Sequence, residues 1–286
     1  MSAVDRGKQI AGQVVESHPV RAWKAFGAAR GTMLAGGIAY AGLFSVFSAL
    51  LVGFTVLGLV ASGNRELRDA VLQAVDAQLP GLLALDGSGS GLVEPDALFA
   101  ADALSVTGAV ALAVALFSGL GWLDAAREGI RAVFSLPTDD RALPRKKAQD
   151  VAILATLGLA ILASAVLSVV VNAAAGALLE AVGLRDSAVG AAALRVVGVL
   201  LVLLIDTGIF VILLRLLSRV PLTWAQVRDG ALIGAAGLGL LKLFGGLLLG
   251  QAGGGNPLLA ASATLVGLLV WMNLVSRVVL LAAAWV

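Results

Sequence analysis

Three charged side chains lie inside long apolar stretches of the sequence. Asp206 interrupts "VLLIDTGIFVILLRLL", Lys242 lies in "LLKLF" and Arg277 lies in "NLVSRVV". At the centre of a membrane helix a charged residue costs about 2.5–3.5 kcal/mol on insertion scales, so Asp206 requires a partner, a hydrated cavity or a proton. The spacing predicts an ion pair with either Lys242 or Arg277 and does not choose between them.

Catalytic chemistry is a poor fit to the remaining residues. The tripeptide Asp206-Thr207-Gly208 matches the aspartic-protease signature, but those enzymes use two aspartates that share a proton, and no second copy occurs. His18 is the sole histidine of the chain, and there is no cysteine. A metal-dependent hydrolase needs several converging ligands, so we expect no catalytic residue, no metal and no cofactor.

Two interpretations of the intramembrane charges stay open. In the first, Asp206 and its cation only tie helices together. In the second, Asp206, Lys242 and Arg277 line a polar pocket for a substrate headgroup or a coupling ion, with Asn273 and Tyr40 as further lining residues.

The elements that must position these residues are membrane helices. Hydrophobic residues make up 59% of the 286 positions and charged residues 13%, with a mean hydropathy of +0.98. About 20 apolar residues cross a bilayer as a helix. Six segments qualify, and they predict a single all-α domain, a polytopic bundle of six transmembrane helices: 32–60, 103–122, 151–179, 191–217, 230–249 and 258–286.

The basic residues predict the orientation of this bundle, because loops rich in Lys and Arg stay in the cytoplasm. The segment before the first span and the loops after the second and fourth spans are basic, whereas the alternate loops are poor in Lys and Arg. Both termini are therefore predicted to be cytoplasmic in a bacterial inner membrane, with the basic loops able to bind anionic headgroups.

Short amphipathic helices are predicted outside the spans. Residues 1–30 form a cytoplasmic or interfacial segment, in which Val20, Trp23 and Phe26 are predicted to share one helical face. Residues 61–102 form an outer loop with an amphipathic helix, because apolar residues recur there every four positions: Leu67, Val71, Val75 and Leu79. After the second span, "GWLDAAREGIRAVF" is predicted to present an apolar face, with its four charges on the rest of the surface. The apolar residues are Trp122, Ala126, Ile130 and Val133, and the charged ones are Asp124, Arg127, Glu128 and Arg131.

Several of these segments together resemble the YihY/BrkB family of bacterial inner-membrane proteins. The first span, "MLAGGIAYAGLFSVFSALL", looks like the opening block of that family. "RLLSRVPLTWAQVRDGALIGAAGLGLLKLF" is similar to its fourth loop and fifth helix, and "GLLVWMNLVSRVVLLAAAW" to its last helix. The chain departs from the pattern at Ser48 and Ser218, where the family often has proline, and at Ala282 to Ala284, which replace a Gly-Ala-Glu sequence.

The resemblance implies a membrane protein without an assigned reaction. The family was once labelled ribonuclease BN, an activity that one histidine cannot support, and some members have been linked to lipid export or serum resistance. The leading hypothesis is a protein that transports or accommodates a lipid-like or amphipathic substrate, and the alternative is a non-transporting scaffold for envelope assembly. The expected partners are membrane lipids and a second copy of the chain, not nucleic acid.

Overall fold

The described part of the chain is entirely helical. The computed structural model describes residues 17–60, 66, 69, 72, 73, 76, 106–139, 142, 144–160, 188–249 and 257–286, and no strand occurs within them. A π-helical segment, Ile212–Leu217, continues the fifth helix and is called the π turn below. The helices are α1 (His18–Ala28), α2 (Gly31–Val60), α3 (Val106–Val133), α4 (described over 144–160), α5 (Ala188–Val211), α6 (Trp224–Leu249) and α7 (Pro257–Trp285).

Each of the six predicted spans falls on one of the helices α2 to α7 where it is described, so the all-α prediction is confirmed. Residues 161–179 of the third predicted span lie outside the described part. Among the described residues, two segments are long and apolar enough to cross a membrane, Val196–Leu217 and Leu265–Trp285. The count of six transmembrane helices therefore stays a prediction.

Helix α7 is the central element of the described bundle. It packs against α1, α2, α3 and α6, while α2 pairs extensively with α3 and α5 pairs with α6. One hydrophobic core joins residues of all these helices and of the π turn. Lys242 and Asp206 consequently lie in the α5–α6 pair, and Arg277 and Asn273 lie on the helix that links this pair to α2 and α3.

Glycine permits the close approach of these helices. A Cβ atom at Gly42 would lie 2.5 Å from the Met272 side chain, and one at Gly129 would lie 2.7 Å from Ile38. At Gly234 the added atom would overlap the ring of Phe210. Small residues of this kind let membrane helices pack through van der Waals contact, since lipid supplies no hydrophobic force between them.

The N-terminal helix differs in detail from the predicted interfacial helix. It begins after Ser17, with a proline in its first turn, and its buried residues are Ala22 and Phe26. Trp23, which the sequence grouped with Phe26, is exposed. The reason is the 3.6-residue period, because a residue four positions from Phe26 shares its face more closely than one three positions away when the contact is narrow.

The outer segment 61–102 is described at five positions only. Residues 66, 69, 72, 73 and 76 are helical, and Leu72 is buried. The apolar residues on which the amphipathic prediction depended, including Leu67 and Val71, lie outside the described residues, so that prediction stands untested.

Candidate functional site

Asp206 and Lys242 form a buried ion pair between α5 and α6. Lys242 Nζ donates to both carboxylate oxygens of Asp206, at 2.9 Å to Oδ1 and 2.8 Å to Oδ2. Asp206 is only 1% exposed. Its neighbour Thr207 donates its hydroxyl to the carbonyl of Leu203 within the same helix. The tripeptide that resembles a protease signature is therefore helical, and its carboxylate is engaged by a lysine.

The other cation considered for Asp206 is not its partner. Arg277 makes no ion pair with Asp206 in the described structure, and its buried Nε has no hydrogen-bond partner there. Of the two pairings left open by the sequence, the geometry selects Lys242. Arg277 is instead a half-buried residue on α7.

Asn273 and Tyr40 lie apart from the ion pair. Asn273 Nδ2 points toward α2, 3.9 Å from the position of a Cβ atom on Gly36. Tyr40 is 64% exposed on α2 and meets Phe44 edge-on, with ring centroids 5.1 Å apart. The five predicted lining residues thus divide into two places, the α5–α6 pair and the side of the bundle where α7 meets α2.

A second charged centre, called the Arg127 cluster, lies where α3 meets α4. Arg127 and Asp150 are both 0% exposed. The Arg127 guanidinium binds Asp150 through both terminal nitrogens and Asp124 Oδ1 at 2.8 Å. Asp124 also accepts from Lys147 at 2.6 Å and lies 3.1 Å from Lys146. Charges of both signs therefore compensate one another in a closed network.

The Arg127 cluster also caps the end of the π turn. Arg127 Nε donates to the carbonyl of Leu217 at 3.1 Å, and Arg131 donates to that of Ser218 at 3.3 Å. Gln149 on α4 donates to the carbonyl of Leu216 at 3.0 Å. The last carbonyls of a helix lack partners within it and carry its negative dipole end, so cationic donors from α3 stabilise this terminus.

The prediction that Arg127 is a surface charge of an amphipathic helix is wrong. Leu123, Ala126 and Ile130 are buried, and Arg127 lies on the same face at helical spacing. Asp150 similarly precedes the buried residue Ile153 by three positions. A signal in the sequence could have shown this, because Arg127 and Asp150 each lie at helical spacing from apolar residues. Charged residues on such faces are buried only when they are paired.

Burial and two neighbouring lysines act in opposite directions on the pKa of Asp124. This residue follows the predicted span 103–122. Burial alone would raise the pKa of Asp124, but hydrogen bonds from Lys147 and Lys146 outweigh burial and hold the pKa below its ordinary value. The carboxylate is therefore stabilised in its charged form at neutral pH.

The remaining features of the site are two contacts between a basic side chain and a tryptophan, and the lack of a metal-binding group among the described residues. The Arg215 guanidinium in the π turn stacks on Trp224, 4.3 Å from the ring centroid, and leaves a buried Nη1 without a hydrogen-bond partner among the described residues. His18 stacks on Trp285 at 4.6 Å. Within the described ranges no group of three or more His, Asp or Glu side chains could hold a metal ion.

Comparison with known proteins supports the resemblance seen in the sequence. The chain is 24% identical to the inner membrane protein YhjD of Escherichia coli strain K12, over 98% of this chain and 82% of that protein. It is 25% identical to an uncharacterised protein of Dickeya dadantii, over 94% of this chain and 82% of that protein. No solved structure matches. The family profile described as Virulence factor BrkB matches residues 22–286, and the chain therefore belongs to the BrkB family.

Proposed function

We propose that this chain is an integral protein of the bacterial inner membrane that accommodates or transports a lipid-like or amphipathic substrate. It crosses the bilayer six times, keeps both termini in the cytoplasm and catalyses no covalent change in this proposal. The name of the Escherichia coli relative, an inner membrane protein, supports the location.

The outer surface of the bundle supports a lipid environment. Large apolar side chains are exposed along α3, α5, α6 and α7, and Phe117 alone is 83% exposed. The apolar segment Val196–Leu217 is mostly unburied within the protein. Soluble monomers rarely expose contiguous apolar surface on this scale, because leaving it in water is unfavourable. These faces are suited to acyl chains.

The observation that carries the functional proposal is the Asp206–Lys242 ion pair inside this apolar setting. Ionisable residues within membrane helices are costly, face the interior of a bundle and often lie on substrate or ion pathways. Asp206 faces α6 and not the surrounding lipid, as a pathway residue must. A headgroup or a coupling ion can therefore compete with one member of the pair for binding to the other.

A lipid-movement assay tests this function. The purified chain is reconstituted in liposomes containing a fluorescent lipid, and the loss of signal to an outside quencher is followed. We expect wild type to move lipid, Asp206→Asn to move it more slowly, and the neighbouring control Thr207→Val to match wild type. Equal rates in wild type and Asp206→Asn would remove Asp206 from the mechanism.

The charge-swapped protein, Asp206→Lys with Lys242→Asp, separates transport from packing. If the pair only holds α5 against α6, the swap restores both the thermal stability and the lipid movement that Asp206→Asn loses. If Asp206 meets the substrate, the swap restores stability while lipid movement stays slow. Both quantities are measured on the same preparation.

A non-transporting envelope scaffold is the second candidate function. The closed Arg127 cluster favours it, because this network ties α3, α4 and the π turn into one unit. Wild-type protein that is folded in liposomes and moves no lipid would support the scaffold and reject transport.

A further inference from the structure

We propose that Arg277 and Asn273 on α7 bind the headgroup phosphate of an anionic phospholipid, which reaches them from the side of the bundle between α2 and α7. The inference deepens the proposed function and rests on it, since it requires lipid around these helices. It names the substrate class as anionic and adds a second polar site for the headgroup, on α7, separate from the Asp206–Lys242 pair.

The charge of Arg277 is the first reason. An arginine side chain stays protonated at any physiological pH. Arg277 lies within the apolar segment Leu265–Trp285, and its buried Nε has no hydrogen-bond acceptor in the described part of the chain. Asp206, the carboxylate that the sequence offers as a partner for Arg277, is already bound through both oxygens by Lys242. A guanidinium in an apolar helix therefore calls for an anion that the described residues do not supply.

The local geometry is the second reason. Asn273 lies one helical turn before Arg277, so both side chains occupy one face of α7. The Asn273 amide is the one group within 4 Å of a Cβ atom built on Gly36, which leaves open space on α2 at this level. A guanidinium fork with an amide N–H beside it matches the oxygens of a phosphate group.

The neighbouring surface suits acyl chains. Tyr40 lies one turn after Gly36 on α2, and Leu269 lies one turn before Asn273 on α7; both are exposed. The two helices run antiparallel, because Gly42 meets Met272 while Ile38 and Leu280 meet at Gly129. Both apolar side chains therefore extend in the same direction from the site. An acyl chain can lie along them while the phosphate stays near Arg277.

Lipid retention by the full-length chain, measured by native mass spectrometry from detergent, tests the site. Phosphatidylglycerol is titrated against phosphatidylcholine, which carries no net charge. A charge-assisted hydrogen bond is worth about one to two factors of ten in affinity, so we expect Arg277→Gln to lower phosphatidylglycerol retention about tenfold or more. Retention of phosphatidylcholine should fall by less, because the choline ammonium already offsets the charge of its phosphate. Arg277→Lys keeps the charge without the fork and should retain an intermediate amount.

Glycine variants test the space without altering any charge. Gly36→Val fills the gap beside Asn273 and should weaken phosphatidylglycerol retention. The matched control is Gly37→Val, at an exposed position with nothing within 4 Å of the added atom, and it should match wild type. Circular dichroism and thermal unfolding establish that each variant is folded before its retention is compared.

Several outcomes would overturn the inference. Equal phosphatidylglycerol retention in folded wild type and Arg277→Gln rejects the site. Displacement of phosphatidylglycerol by millimolar inorganic phosphate, with equal sensitivity in detergent and in vesicles, identifies a free-phosphate site and rejects the lipid. Retention that depends on Arg277 in a protein that moves no lipid keeps the site and rejects only transport. Lipid movement with no dependence of retention on Arg277 rejects only the site.

Discussion

Replacing Arg127 by methionine should be among the most destabilising single substitutions in this protein. Both hydrogen bonds that Asp150 accepts in the described structure come from Arg127, and both residues are fully buried. The substitution leaves a buried carboxylate without a counter-charge, which costs about 3–5 kcal/mol. It also leaves the carbonyl of Leu217 without its donor, which moves the expected cost toward the upper end of that range.

The double variant Arg127→Met with Asp150→Leu makes the prediction specific. Replacing a whole buried pair by apolar residues of similar size is often neutral or stabilising, so we expect the double variant to recover most of the loss, with a coupling energy of about 3 kcal/mol. Asp229→Asn is the control, because the Arg228–Asp229 pair is exposed and should be worth less than about 1 kcal/mol.

Unfolding in mixed micelles, followed by the fluorescence of the five tryptophans, gives the free energies of unfolding. A loss of unfolding free energy below about 1 kcal/mol for Arg127→Met would refute the reasoning, since a buried unpaired charge destabilises a protein by more than that. So would a double variant as unstable as the single one.

Three other outcomes follow from the packing, the charges and the backbone. Gly234→Val forces atoms into the ring of Phe210 and should cost about 1–3 kcal/mol, while Gly239→Val, with open space around it, should cost little in the same unfolding assay. Because the pKa of Asp124 is lowered in the fold, its contribution to stability is present above the ordinary aspartate pKa of about 4 and is lost as the pH falls through the lowered value; Asp124→Asn should flatten this acid limb in a pH series of melting temperatures. Ser135, two residues after the end of α3, has a φ of 53°, so Ser135→Gly should raise stability by about 1 kcal/mol, seen as a higher melting temperature; a lower melting temperature would contradict the strain.

Most of the helical architecture follows from the sequence, because long apolar runs have few alternatives in lipid. Where α2 to α7 are described, each predicted span falls on a helix. The extent of each helix was less accessible. Helix α3 continues to Val133, beyond the predicted end of its span at residue 122, because its last turns pack through Leu123 and Ile130.

The candidate site was predictable in its residue types but not in its pairings. Depth along a helix places Asp206 near both Lys242 and Arg277, and only the packing partner of α5 decides between them. Since α5 packs on α6, the lysine on α6 is within reach. Arg127 was missed for a different reason: local periodicity shows that it shares a face with buried residues, whereas its counter-charge Asp150 comes from a separate helix, which no local pattern reveals.

The π turn lies between the Asp206–Lys242 pair and the Arg127 cluster along one continuous helix, and this helix contacts both. Asp206 and Leu217 are eleven residues apart, which is about three turns of a regular α-helix and would bring them to the same side. In the structure Asp206 binds α6, while the carbonyl of Leu217 is bound by Arg127 on α3. The wider turn between them, with the Ser218 amide bonded to the carbonyl of Leu213, changes the phase of the helix. The Arg127 cluster thereby holds the end of the same helix on which Asp206 binds Lys242.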